Sequence, residues 1–509
     1  MTQTEVPALI QEMMKPEFYP HPVKQPIQLM QTHVSYVFLT GDYAYKVKKP
    51  VNFGFLDFST LEARQHFCLE EIQMNRQNAP EIYLEVLPIT QTDNQFELNG
   101  SGQTVEYALK MREFPQDDLF ISLFEQGKLT EAQMEELGKI VAQFHAKAQT
   151  SDYIRRFGEV SQVRQAIDEN YQQTEKYIGG PQTKQQFEET KQFTDAFFAN
   201  EPELFKRRIQ DNKIRECHGD LHLRNICLWK NKIQLFDRIE FNEPFRFVDV
   251  MYDIAFAVMD LEARGRKELG NAFLNTYVEQ TGDWEGLQVL PLYLSRQAYV
   301  RAKVTSFLLD DPGVPEDVKK EAMKTAADYY RLAWNYTQQH QGKLILMSGL
   351  SGSGKTTVAR HLARQLGAIH LRSDAVRKHL GGISLEEKGG AELYTEAMNQ
   401  KTYERLLELG IKLAKQGWTV ILDAKYDREA LRTNAIAQGK NQQLPVQIIY
   451  CTAPEEILRD RLLARTGDVS DATADLLSQQ KAATEPFNKD EQLLLTTLNT
   501  TQDWAAQLL

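Results

Sequence analysis

The chain has 509 residues, of which 42% are apolar and 25% charged, with a formal net charge of −11. That balance excludes a collagen-like, low-complexity or largely disordered chain and leaves room for about three structural units, each able to bury a core without disulfides. The charge is uneven: residues 1–340 carry 38 basic and 50 acidic side chains, residues 341–509 carry 21 and 20, and an acidic body disfavours non-specific nucleic-acid binding.

The opening stretch, MTQTEVPALIQEMMKPEFYP, lacks the basic start and apolar run of a signal peptide. No segment approaches the roughly 18 apolar residues of a membrane span. Cys68, Cys217, Cys227 and Cys451 form no CxxC pair, so neither a disulfide framework nor a zinc knuckle is expected. A cytoplasmic location without a membrane partner follows as the expectation. From about residue 30 to 112 the chain alternates in strand fashion, interrupted by one helix that starts after Ser59 or Thr60 as N-cap. From about 117 to 338 the pattern is mainly helical, broken by a strand-rich island around CHGDLHLRNICLWKNKIQLFDRIEF. The polar stretch TQQHQGK at 337–343 marks a domain border. Beyond it strands and helices alternate (LILMS, IHLRS, TVILDA, VQIIYC) and a helical tail closes the chain, an α/β pattern with a parallel sheet.

The expected fold class is an α+β kinase-like two-lobed domain over 1–340 (small lobe about 25–112, hinge about 111–118, large lobe about 118–338). An α/β P-loop NTPase domain over 341–509 follows.

The island holds His218-Gly219-Asp220-Leu221-His222-Leu223-Arg224-Asn225, followed by Asp237-Arg238-Ile239-Glu240. Transfer of a γ-phosphoryl group needs an acceptor hydroxyl held in line, a carboxylate to take its proton, and metal ions bridging the phosphates. Asp220 supplies a base, Asn225 a neutral oxygen five residues on, and Asp237 a charged oxygen from the next strand, donors that suit Mg²⁺. Upstream, Lys46 lies in a strand, as a phosphate-pairing lysine should. Lys48 shares its face by period-2 alternation and is the rival. Glu71, in the following helix, is the natural ion-pair partner, with Glu70 as the alternative. His218 reads as a structural histidine, and Asp249 and Asp253 as residues that tie down the loop and helix starts.

The pair HGDLHLRN…FDRIEF resembles the aminoglycoside phosphotransferase family, a branch of the kinase-like fold. GDYAYKVKKPVNFGFLDFSTLE and YALKMREFPQDDLF resemble the subfamily in which this domain is fused to a P-loop domain. The resemblance implies that Asp220 is the catalytic base, that Asn225 and Asp237 hold Mg²⁺, that Lys46 pairs with the α/β-phosphates of ATP, and that Met111–Pro115 is the adenine hinge. Two departures stand out. Thr32–Thr40 has no glycine-rich signature, and the metal-site triplet is Asp237-Arg238-Ile239.

Gly349-Leu350-Ser351-Gly352-Ser353-Gly354-Lys355-Thr356, followed by Thr357, matches GxxxxGK[ST] between a strand and a helix, the context a phosphate loop requires. Its backbone N–H groups and helix N-terminus favour phosphate; Lys355 reaches the β/γ-phosphates and the Thr356 hydroxyl binds Mg²⁺. Asp374, after the second strand, is placed to take a hydroxyl proton, and Arg377 to hold an acceptor phosphate or carboxylate. Asp423 ends the third strand and is placed to hold the metal's water shell. Arg461 and Arg465, spaced i, i+4, read as one helix face ahead of the turn-rich Thr466-Gly467-Asp468, a pattern that suits a closing lid. GLSGSGKTT, LRSDAVRK and DVSDA…EPF resemble the small-molecule and polynucleotide kinase group of P-loop proteins, often labelled AAA-family ATPases. That resemblance implies Asp374 as acceptor-side base and a lid carrying Arg461 and Arg465. A ring-forming motor is disfavoured, because Asp423 is followed by Ala424 rather than a second acid.

The leading expectation is a bifunctional ATP-dependent phosphotransferase with two ATP·Mg²⁺ sites acting on small-molecule hydroxyl acceptors. The alternatives are that one half senses nucleotide for the other, or that the C-terminal half is a nucleic-acid end kinase. Nucleic acid enters as a partner only under that last alternative and only for that half, and the sequence carries no signature of oligomeric state.

Overall fold

The computed structural model describes residues 7–93, 95–465 and 467–508, and every count given is of those residues. Thr466, part of the expected lid turn, lies outside them. The chain clusters into two compact units. The first comprises the residues up to Leu129, Gln143–Asp260 and Arg296–Arg331; the second comprises Thr130–Ala142, Leu261–Ser295 and the residues from Leu332 onward. The second unit therefore takes in two segments that precede the expected border near 340. A physical reason is visible within it. The strand Ile369–Arg372 is a sheet edge, and the helix Lys267–Thr281 covers that edge: Asn271 Nδ2 donates to Ala368 O at 2.9 Å and Asn275 Oδ1 accepts from His370 N at 2.8 Å. Unpaired edge groups of this kind are otherwise left to solvent.

The first unit is built on a six-stranded antiparallel sheet. Its strands are β1 (Gln28–Gln31), β2 (Ser35–Leu39), β3 (Tyr43–Lys48), β4 (Tyr83–Thr92), β5 (Gln95–Leu98) and β6 (Gln103–Arg112), in the order β1-β2-β3-β6-β4-β5. Tyr45 and Val47 of β3 face a core of Phe38, Ile89 and Ala108. Period-2 alternation therefore sends Lys46 and Lys48 to the opposite face. The helix Leu61–Asn75 packs there, and of the two candidate caps it is Thr60 whose side chain accepts from Ala63 N. Two small antiparallel pairs follow in the helical part: β7 (Ile214–Glu216), β8 (Ile226–Trp229), β9 (Lys232–Leu235) and β10 (Phe247–Asp249), with β7 paired to β10 and β8 to β9.

The second unit carries a five-stranded parallel sheet of β11 (Lys343–Ser348), β12 (Ile369–Arg372), β13 (Thr419–Asp423), β14 (Val446–Thr452) and β15 (Leu495–Asn499), in the order β12-β13-β11-β14-β15. Leu344, Ile345, Leu346 and Met347 are buried on both faces, as the continuous apolar run of a central parallel strand requires. One expectation is corrected here. The chain does not close on a helical tail: after the short helix Lys489–Gln492 it forms β15 beside β14. Leu493-Leu494-Leu495 carries no strand periodicity of its own; the free edge of β14 decides the outcome.

No helix among the described residues is long and apolar enough to cross a membrane. All four cysteines are free and buried.

Candidate active sites

In the first unit the polar side of the sheet meets the strand-rich island. Lys46 Nζ donates to Glu71 Oε1 at 2.8 Å and to Asp237 Oδ1 at 2.6 Å, across 191 residues of sequence in the latter case. Lys48 Nζ donates to the other oxygen, Glu71 Oε2, at 2.7 Å, and pairs with Glu240. Both lysines therefore hold Glu71, which is fully buried, while Glu70 makes no part of the network. The lysines differ in what else they face. Lys46 reaches Asp237, whose side chain is 43% exposed, whereas Lys48 is closed in at 2% exposure, with its ammonium over the Phe58 ring. Burial alone would raise the Glu71 carboxyl, but the two ammonium groups outweigh it and hold the group well below the usual carboxylate range. Burial likewise pulls the Lys46 ammonium down, yet Asp237, Glu71 and Glu240 together leave it firmly protonated.

The loop between β7 and β8 is held from below. Asp253 accepts from His218 N at 3.0 Å and Gly219 N at 2.8 Å, and it also meets His145 Nε2 at 2.9 Å. His218 turns its ring to Phe236 O at 2.9 Å. These contacts give His218 and Asp253 the supporting positions expected of them. Asp249, paired with Arg208 at 2.8 Å, caps Met251 N. Asp220 then projects toward Asn225, whose Nδ2 donates to Asp220 Oδ2 and Asp220 O, both at 3.0 Å. These contacts go through Nδ2 and leave the Asn225 Oδ1 lone pairs for another partner. His222 Nε2 lies 3.3 Å from Asp220 Oδ2. Burial would raise the Asp220 carboxyl, but the His222 ring outweighs it and holds the group below its ordinary value; the same pairing raises His222 against its own burial.

A tight hairpin brings Asp237 back to this loop. Trp229 pairs with Lys232, so the turn is Lys230-Asn231, both at positive φ (51° and 63°). That is the two-residue hairpin geometry whose twist matches the strands. Phe236 N then donates to Asn225 O at 3.1 Å, and Asp237 follows with φ 61° and its N–H on Tyr83 Oη at 3.0 Å. A left-handed backbone at a non-glycine residue is costly and is held only where surrounding contacts impose it. Arg238 explains the departure at the triplet. It is 1% exposed, lies over the Phe144 ring, and donates to Met74 O at 3.1 Å and Glu216 O at 3.0 Å, stitching the end of the Leu61–Asn75 helix to β7. Met111 sits at the end of β6 in an apolar cluster with Tyr83, Leu109, Cys227 and Phe236.

In the second unit the phosphate loop follows β11. Gly349 has φ 135°, and a Cβ there would stand 2.3 Å from Cys451 O; at Gly352 (φ 79°) it would stand 2.6 Å from Leu458 O. Both the conformation and the space therefore demand glycine. Gly354 caps the helix Lys355–Leu366, with Thr356 and Thr357 in its first turn. Lys355 Nζ donates to Gly349 O and Leu350 O, each at 2.8 Å, and burial draws its ammonium below the ordinary lysine value. Ser353 Oγ is buried with no hydrogen-bond partner among the described residues. Asp423 ends β13 opposite Met347 and pairs with His370 Nε2 at 3.0 Å. Burial opposes that charge, but His370 prevails and lowers the carboxyl to about 2.

Asp374 in the first turn and Arg377 in the last turn of the helix Ser373–Leu380 meet each other at 2.9 Å. Arg377 also donates to Asn399 Oδ1 at 3.0 Å and lies over the Tyr394 ring. Arg461 and Arg465 do not share a helix face, because the helix Glu455–Ala464 ends one residue before Arg465, which stands in extended backbone and donates to Ala472 O. Arg461 instead braces the loop: it donates to Gly352 O at 3.3 Å, Thr500 Oγ1 at 2.8 Å and Thr500 O at 2.9 Å. The sequence reading passed over Gln480, Thr500, His222 and Tyr83, all of which touch these sites. His222 stands in the HGDLHLRN string two residues after Asp220, and that spacing is the signal that could have marked it; Gln480, Thr500 and Tyr83 stand in none of the motifs, so no signal in the sequence marks them.

These bodies define a chain that joins a kinase-like fold to an α/β P-loop domain. Residues 344–487 match the family model described as "AAA domain". The chain is 30% identical over 462 residues, 90% of each chain, to "Uncharacterized protein Rv2004c" of Mycobacterium tuberculosis, and equally to "Uncharacterized protein Mb2027c" of Mycobacterium bovis. It belongs to the family of these mycobacterial proteins. Among solved structures it is similar to a choline/ethanolamine kinase family protein from Mesorhizobium loti (9% identity, 65% of this chain and 99% of that one, TM-score 0.39). It is also similar to the APS kinase CysC of Mycobacterium tuberculosis (22% identity, 33% and 94%, TM-score 0.25).

Proposed function

We propose that the chain is an ATP-dependent phosphotransferase with two separate nucleotide sites, each transferring the γ-phosphoryl group to the hydroxyl of a small molecule. The observation that carries this reading is the meeting of Lys46, Glu71 and Asp237 beside the Asp220–Asn225 loop. A strand lysine fixed by a helix glutamate, next to an exposed carboxylate, is the arrangement that orients a nucleotide's phosphates.

In the first site Asp220 is the base: it takes the proton as the acceptor's O–H bond breaks, while the oxygen forms a bond to the γ-phosphorus and the bond to the departing ADP oxygen breaks. His222 keeps Asp220 ionised and Asn225 fixes its direction. Asp237 and the Asn225 Oδ1 would hold Mg²⁺, and their hard oxygen donors fit it. Bound there, the ion supplies charge neutralisation for the phosphates. In the second site the loop 349–357 would cradle the phosphates, with Lys355 turning from its own loop carbonyls to them, and the Thr356 hydroxyl would hold the metal ion that neutralises their charge. Asp374 serves as the acceptor-side base. Its pairing with Arg377 supports a role in which the acceptor's own negative charge takes over the guanidinium.

The test is transfer from γ-labelled ATP with Mg²⁺ by wild type, Asp220→Ala, Lys355→Ala and the double variant, with pooled metabolites, aminoglycosides and oligonucleotides as acceptors. Loss of a different labelled product in each single variant is the expected result, with a drop of about 10³-fold for Asp220→Ala. If Asp220→Ala changes no product while Lys355→Ala removes all transfer, the first unit is a nucleotide sensor instead. Labelling of oligonucleotide ends alone would make the second site a nucleic-acid kinase.

A further inference from the structure

The phosphate loop has a neighbour that no motif announces. The helix Leu477–Ala483 lies against it, with Leu477 buried among Leu458, Leu462 and Leu350. Lys481 anchors the same helix to Glu455 at 2.9 Å. From this helix Gln480, 9% exposed, aims its side chain into the loop, and Ser351 N donates to Gln480 Oε1 at 3.1 Å. On the phosphate-loop reading Ser351 N–H belongs to the cradle's backbone donors, and the Gln480 carbonyl then occupies a position a phosphate oxygen would take. The Gln480 amide nitrogen, the other end of the same group, donates to none of the described residues.

A side-chain amide carries an acceptor and two donors on one rotatable group. A phosphate is an acceptor only, so its arrival at Ser351 N–H displaces the carbonyl and leaves the amide nitrogen as the group able to face it. Turning about the terminal torsion of Gln480 makes that exchange without moving the helix, because this torsion is broad and roughly two-fold. Lys355 stands in the parallel situation, bonded to the carbonyls of Gly349 and Leu350.

We infer that Gln480 is a specificity-determining residue of the second site, reading the terminal phosphate of a nucleoside triphosphate by exchanging its contact to Ser351 N–H for a donated hydrogen bond to that phosphate. The inference rests on the phosphate loop being a nucleotide site. It predicts that Gln480 discriminates triphosphate from diphosphate and contributes little to binding the diphosphate.

The experiment is peptide-resolved hydrogen exchange on the full chain, titrated separately with ADP and with adenylyl imidodiphosphate in Mg²⁺. Midpoints are read from peptides covering 349–362, so that nucleotide in the first unit does not enter the measurement. In wild type the imide is expected to bind more tightly than ADP. In Gln480→Ala the ratio of the two affinities should fall by about tenfold, the value of a hydrogen bond to a charged group. Gln480→Glu, which still accepts from Ser351 N–H but repels phosphate, should lower the ratio at least as far. A residue that merely packs the helix would shift both midpoints alike, and equal shifts or an unchanged ratio would overturn the inference. If wild-type peptides 349–362 respond to neither nucleotide, the phosphate-loop reading itself fails and takes the inference with it.

Discussion

Lys46 and Lys48 show how far a single residue's role depends on what lies behind it. Period-2 alternation puts both on one face and leaves them equivalent; the structure separates them, because only Lys46 also reaches Asp237. Lys48 closes a buried knot with Glu71 and Glu240. Removing one member of such a knot leaves buried carboxylate charge uncompensated. Lys48→Met is therefore expected to lower unfolding stability by about 3 kcal/mol, and Lys46→Met to lower it less while removing transfer at the first site. Urea unfolding and labelled-product formation on the two variants check this. His222 gives a second prediction. Asp220, the base we propose for the first site, is held below its ordinary value, and its stabilising contribution is lost as pH falls through that lowered value. The contribution of His222, whose value is raised, is lost as pH rises through it. His222→Gln leaves the burial of Asp220 unopposed by its main partner. The acidic limb of the kcat/KM profile for the first site should then move to higher pH.

At the scale of elements, position follows from turns and ends more than from the elements' interiors. The hairpin Lys230-Asn231 returns the chain so that Phe236 N bonds Asn225 O, and this places Asp237 near the loop it serves. Asp220, Asn225 and Asp237 were legible as a set in the sequence because the hairpin is short enough for their spacing to survive folding. Glu71 was nearly legible: the helix period located it to within one residue, and burial chose it over Glu70. The reading of Arg461 and Arg465 as a pair failed because it assumed a helix that continues, whereas this one ends at Ala464. Arg461 consequently braces Gly352 against Thr500. A brace and a lid predict different kinetics. Arg461→Ala should weaken nucleotide binding at the second site by about tenfold with little change in the rate of transfer once saturated. A lid arginine would show the opposite split, and nucleotide titrations paired with single-turnover rates distinguish them.

For the whole molecule, the two candidate sites draw on separate sets of residues, the first wholly from one unit and the second wholly from the other. Two sites that share no residue consume ATP in parallel, so their turnover rates add. The ATP turnover lost in Asp220→Ala and that lost in Lys355→Ala should therefore sum to the wild-type turnover, with none left in the double variant. A double variant that loses less than the sum would reveal coupling between the sites, measured by the same assay.

The strand–loop–helix context of the GxxxxGKT motif, the succession along the chain of the strands β11 to β14, and the Asp220–Asn225–Asp237 set were all readable from the sequence. Each of these is written in local periodicity or in fixed spacing along a short stretch of chain. Tertiary structure alone decided which lysine faces Asp237, that Gln480 and Thr500 touch the phosphate loop, that the last strand joins the sheet, and that Asn271 and Asn275 cover the edge of β12. Those outcomes depend on hydrogen-bond partners and sheet edges supplied by residues far away in sequence, and no local period encodes a partner that arrives only when the chain has folded.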